Sequence, residues 1–184
     1  MGDTMSDFEI KRSGRKTVAL KVDRDGRIIV QAPLFMPEFM INQFVSSHCD
    51  WIEKQRARQK SALSVPKLTP GELRDLKERA REVITVRAAF YAPLAGVKYN
   101  KITIRAQKTR WGSCSSNGNL SFNCLLLLSP PEVLDSVVVH ELCHLIERNH
   151  SERFYRNVLR VFPDYRKAHK WLRENGDSLT ARIP

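Results

Sequence analysis

Val133-Leu134-Asp135-Ser136-Val137-Val138-Val139-His140-Glu141-Leu142-Cys143-His144-Leu145-Ile146 is the stretch on which the reading of this chain turns. On an α-helix, positions four apart share a face, so His140 and His144 can present two imidazoles to one point. Glu141 lies one residue further round and can reach a water at that point without acting as a ligand. The flanking residues are apolar nearly all round, which predicts a buried helix. Two imidazoles and a carboxylate inside such a helix are costly to desolvate without a partner. A dication supplies one, because it favours neutral imidazole and ionised carboxylate. Two helical histidines, a carboxylate base and a third protein ligand, with a fourth position left to water, are what a hydrolytic Zn²⁺ site requires.

His150 is the candidate third ligand. Its six-residue step from His144 equals that of the HExxHxxGxxH metzincins. Glu147 stands at their glycine position and no Met-turn follows, so that family is not assigned. Asn149 is expected to end the helix in a left-handed cap, and Ser151 to cap a following helix that carries Phe154, Val158 and Leu159. His150 then falls in the connection between two helices, where it can fold back to the metal.

Working outward, Ser129 is expected to cap the histidine helix before Pro130-Pro131. Val97 to Gln107 and Leu120 to Leu128 read as strands joined through the turn Ser116-Asn117-Gly118-Asn119. Leu73, Leu76, Ala80, Val83, Ile84, Ala88 and Tyr91 mark a long amphipathic helix ending before Pro93. Upstream, Thr17–Val22 and Arg27–Ala32 alternate as a hairpin about Asp23-Arg24-Asp25-Gly26. A helix follows from Pro37 through Ile41, Phe44, Val45, His48 and Ile52, fading into the basic stretch Lys54–Ser61, with His48 packed rather than ligating. Two C-terminal helices divide near Phe162-Pro163-Asp164, the last stopping at Asn175-Gly176. The predicted fold class is α+β. It comprises residues 1–65, an N-terminal β-hairpin and helix, and residues 66–184, a zincin-like catalytic region with a small antiparallel sheet. The whole is expected to form one compact domain.

The segments Arg110-Trp111-Gly112-Ser113-Cys114-Ser115 and Gly118-Asn119-Leu120-Ser121-Phe122-Asn123 stand upstream of His140–His144 and Asn149-His150-Ser151. Together they resemble the YgjP-like metallopeptidase family, related to SprT-like zinc metallopeptidases. The resemblance runs from about Ile10 to Gly176, and its specific part lies between Arg110 and His150. It implies a zinc-dependent hydrolase with a zincin-type core, cytoplasmic, acting as a peptidase.

Composition narrows the class further. No 18-residue apolar run is present, which argues against a membrane partner. The four cysteines form no CxxC pair, and Cys143 sits inside the histidine helix, so a reducing compartment is expected. The net charge of +11 admits a nucleic-acid partner, but the excess is spread along the chain. One local run stands out. Lys98, Lys101, Arg105, Lys108 and Arg110 occur with no acid before Pro131. If that basic strand flanks the cleft, a peptide or protein substrate should be anionic. The expected mechanism has Glu141 as catalytic base, with His140, His144 and His150 on the metal. Arg110, Tyr155 and His169 are candidates for a second electrophile, and Trp111 is expected in the core. An extended substrate could add to the sheet edge before Trp111 or after Asn119. Two alternatives stay open: a nucleotide or phosphoanhydride hydrolase, and a basic nucleic-acid-associated protein with this metal site.

Overall fold

Short alternating segments and longer apolar-striped ones sort the chain into two compact units, Met1–Ser64 and Val65–Pro184. The computed structural model describes residues 8–23 and 26–184.

In the first unit the alternation Leu20-Lys21-Val22 pairs with Ile28-Ile29-Val30 in an antiparallel ladder between β2 (Ala19–Val22) and β3 (Ile28–Pro33). Arg24 and Asp25 of the expected turn lie outside the described residues. Its ends are held by Asp23, whose carboxylate accepts from the Arg27 N–H at 2.9 Å, and by Gly26 at a φ of 80°. A further strand, β1 (Phe8–Ser13), pairs parallel to β3 and makes a ribbon of three, with β3 central. Ile28, Val30 and Ala32 point to a core completed by Ile41, Val45 and Ile52. The helix expected from Pro37 is two helices, α1 (Glu38–Ser46) and α2 (Cys49–Leu63). At the break, the N–H groups of Ser47 and His48 donate to Gln43 and Val45. The His48 ring packs on Phe44 with its Nδ1 2.7 Å from the Phe44 carbonyl. The basic stretch does not fade; it is helical throughout as part of α2.

The second unit begins with α3 (Pro70–Ala95), opened by a capping box between Thr69 and Glu72. Hydrogen bonds from Thr69 hold the Glu72 carboxyl below its ordinary range. The helix does not end before Pro93. Proline removes one backbone bond and crowds the carbonyl four residues back, but the stripe Leu76, Ala80, Ile84, Ala88, Tyr91, Ala92 and Ala95 stays buried to the last turn. The stop is Gly96 at a φ of 74°, where the Val97 N–H donates to Ala92 at 3.0 Å.

Strands β4 (Ile102–Arg105), β5 (Gly112–Cys114) and β6 (Leu120–Asn123) form a sheet in the order β4-β6-β5. Both sheets are mixed, not purely antiparallel: β4 runs parallel to β6 and β5 antiparallel. The turn at Ser115–Asn119, with Gly118 at a φ of 71°, therefore joins β5 to β6. The strand expected over Leu120–Leu128 stops at Asn123. Its side chain donates to the carbonyls of Gln107 and Arg110 at 2.6 and 3.0 Å and accepts from the Leu125 N–H. The chain is thus bent into a 3₁₀ turn over Cys124–Leu128, which buries Cys124, Leu125 and Leu126.

Ser129 caps that turn, donating to Leu126 at 2.6 Å, and does not cap the next helix. Helix α4 (Pro131–Cys143) starts after Pro130 at the N-cap, with Pro131 in the first position, where its ring presets the helical φ. It is clasped to α3 by Asp135, 6% exposed, which accepts from Arg87 Nε at 2.6 Å and from the Tyr91 hydroxyl at 3.1 Å. After α5 (Glu152–Val161), α6 (Tyr165–Thr180) runs straight through Gly176. A Cβ there would come 2.9 Å from the Trp111 ring, so the glycine is in place to admit that ring and does not break the helix. No described helix is long and apolar enough to cross a membrane, and all four cysteines are free.

Candidate metal centre

Helix α4 ends where its chemistry begins. Val133 to Val139 are all buried, and so are Glu141, Leu142 and Cys143, so the last turn is anchored on every side. His140 lies in that turn and His144 is its C-cap. The chain does not reach Asn149 as helix, and among the described residues no non-glycine takes a positive φ. Instead the backbone tightens after Cys143. The Ile146 and Glu147 N–H groups both donate to the Cys143 carbonyl. The early stop frees His150 to turn back. Ser151 then caps α5 by accepting from the Phe154 N–H at 3.3 Å.

Three imidazoles converge as a result. His144 Nε2 and His150 Nε2 each lie 3.1 Å from His140 Nε2. The fully buried Phe154 is packed among all three rings, with centroids 4.9, 4.5 and 5.0 Å from those of His140, His144 and His150. Both helical histidines are oriented from behind. His144 Nδ1 donates to the Glu147 carbonyl at 3.1 Å, which leaves its Nε2 with a free lone pair. His140 Nδ1 sits 2.8 Å from the Tyr165 hydroxyl. One Nε2 proton could satisfy only one of the contacts that His140 makes. A tetrahedral zinc with bonds of roughly 2.0–2.1 Å sets its nitrogen ligands about 3.3 Å apart, close to the 3.1 Å of two of the pairs, and all three atoms lie within 4.8 Å of one another. The C-terminal end of a helix also favours a cation. The three residues therefore fit a divalent ion as a donor set.

Electrostatics point the same way. Burial, and then the neighbouring His144, His150 and His169, hold the His140 imidazole down at about 3, so it is neutral at physiological pH. Burial also lowers His144. Glu141 is 5% exposed, and burial alone pushes its carboxyl up to about 8 in the absence of a cation. Its side chain lies against Gly112 of β5: a Cβ at Gly112 would meet Glu141 Oε1 at 2.5 Å.

Of the candidate electrophiles, Tyr155 and His169 are near the centre. The Tyr155 ring lies 6.2 Å from that of His150, and the His169 ring 5.5 Å from that of Tyr165. Arg110 contributes a backbone carbonyl to Asn123, and its exposed guanidinium makes no hydrogen bond to the centre. Trp111 packs half-buried against the core. Sequence reading missed Tyr165, which is 25 residues from His140 with no spacing rule to connect them. It placed Phe154 only on a helix face. The strand after Asn119 is the central β6 and offers no edge, whereas β5 does. The basic strand β4 is the opposite edge, two strand spacings or roughly 10 Å from β5.

Comparison with curated proteins finds no match. Among solved structures, the crystal structure of the metallopeptidase zymogen of Pyrococcus abyssi abylysin is similar at 21% identity and a TM-score of 0.45, covering 50% of this chain and 93% of that one. The family model described as YgjP-like, metallopeptidase domain, matches residues 16–74 and 66–175. With nearly all of its length matched by that model, the chain belongs to the YgjP-like metallopeptidase family.

Proposed function

We propose that this protein is a zinc-dependent peptidase in which His140, His144 and His150 hold the ion and Glu141 is the general base. The observation that carries this reading is the convergence of three Nε2 atoms beside a buried carboxylate. Zinc, when bound, supplies Lewis acidity toward a carbonyl and lowers the pKa of water. The chain's own residues do the rest. Glu141 takes the proton of the attacking water and returns it to the leaving amine. Its burial keeps it basic enough for both transfers. Tyr165 and the Glu147 carbonyl fix the two helical imidazoles so that their Nε2 atoms face the ion. Phe154 excludes water from behind the rings. The free edge of β5 lies next to Glu141 and suits an extended peptide added as a strand.

The test is turnover of the zinc-loaded protein against peptide and nucleotide panels, with Glu141→Gln as control. Peptide cleavage should fall by about 10²–10⁴-fold in the variant while zinc stoichiometry is unchanged. Turnover of nucleotides in place of peptides would reassign the reaction. Peptide cleavage that survives Glu141→Gln would remove its assigned base.

A further inference from the structure

A cavity of about 440 Å³ opens between α5 and α6, with Tyr155 of α5 and Tyr165, Arg166, His169, Lys170 and Arg173 of α6 in its wall. Tyr165 belongs to both places, since its hydroxyl also meets His140 Nδ1. Arg166, Lys170 and Arg173 are spaced i, i+4, i+7 and share one helix face. The three positive charges are exposed on one stripe, where water screens their mutual repulsion but no described carboxylate pairs with them. Glu174 and Asp177 are close by on the same helix, yet among the described residues neither forms an ion pair with any of the three. Guanidinium groups bind carboxylates through paired N–H donors, and an ammonium adds a point charge. Walls of this size accommodate one or two amino-acid side chains.

We infer that the cavity is a carboxylate subsite, so that the substrate is a peptide with Asp, Glu or a free C-terminus within about two residues of the scissile bond. The inference rests on the peptidase reading for the nature of the substrate. It relocates the anion preference from the basic strand β4 to α6.

The test measures binding by the zinc-loaded, full-length Glu141→Gln protein, so that turnover is not needed. Fluorescein-labelled hexapeptides carry either Glu or Gln at internal positions, and each ends in a free acid or an amide. The acidic peptides should bind about tenfold more tightly than the Gln amide, with the gap closing as salt rises. Lys170→Gln/Arg173→Gln should shrink that gap to about twofold, and Lys170→Arg should keep it. Arg105→Gln/Lys108→Gln on β4 should also leave it in place. The acid and amide ends separate a side-chain carboxylate from a terminal one. Equal binding of acidic and neutral peptides overturns the inference, as does a gap that survives loss of Lys170 and Arg173. Stronger competition by pyrophosphate than by the acidic peptide would overturn it too, by giving the cations to phosphate. An acid preference in a protein that cleaves no peptide would sink the proposed reaction alone. Cleavage with no acid preference would sink the subsite alone.

Discussion

Gly112 and Glu141 show how narrowly the proposed base is seated. The glycine sits in the edge strand with the carboxylate against its Cα, at a distance no side chain would tolerate. Gly112→Ala should therefore displace Glu141 and lower peptide turnover about 10²-fold, at a stability cost of about 1–3 kcal/mol. Retained zinc with normal turnover would show that the carboxylate can stand elsewhere. Tyr165 is the second residue whose role is local and readable. Losing its hydroxyl leaves His140 Nδ1 without a partner. Tyr165→Phe should weaken zinc binding or turnover by about 10–100-fold, measured by chelator competition and kinetics. His140, His144 and Glu141 were legible as candidates because a helix enforces their spacing. Tyr165 was not, because its contact depends on how α6 returns across α4.

At the scale of elements, α4 is held by two different forces. Its apolar faces are buried among α3, the 3₁₀ turn and α6, and Asp135 adds a polar clasp to Arg87 and Tyr91. Arg87 is about a third exposed, so the pair is weaker than a fully buried one. Asp135→Asn should destabilise the protein by about 2–3 kcal/mol in urea unfolding. A loss under about 0.5 kcal/mol would mean that packing alone fastens the two helices. Several element boundaries eluded local rules. Leu120–Leu128 reads as a buried strand, yet Asn123 intercepts the backbone and coils the second half. Pro93 and Gly176 read as helix ends, yet buried contacts on their own helices outweigh the local preference. The short alternation Phe8-Glu9-Ile10 carried the strand β1, but six residues next to an acidic, polar start are a faint signal.

At the scale of the whole molecule, the metal-free protein stores opposed titrations. The unfolded chain protonates His140 below about 6.5, whereas the folded one resists down to about 3, so stability falls as pH drops through that window. Glu141 works the other way. Folded, it keeps its proton up to about 8, while unfolded it ionises near 4.5, so stability falls as pH rises between them. Thermal midpoints of the metal-free protein should thus be greatest between roughly pH 4.5 and 6.5. Metal-free Glu141→Gln should gain on the wild type steadily from pH 5 to 8. Parallel curves for the two proteins would show that the carboxylate is not buried in the folded state. Saturating zinc, at about 1,000 times its dissociation constant, should add about 4 kcal/mol and remove the alkaline loss.

By itself the amino-acid order settled the helix that carries His140, Glu141 and His144 and the α+β class, and its motifs carried the resemblance to the family. The helix and the class follow from periodicity and spacing, which act over a few residues and are set by backbone geometry. Tertiary structure alone decided which residues stand behind the imidazoles, which strand forms the edge beside Glu141, and which cations line the cavity that shares Tyr165 with the histidines. Those relations join positions tens of residues apart. Only the packing of one element on another determines them, because no local conformational preference reaches that far.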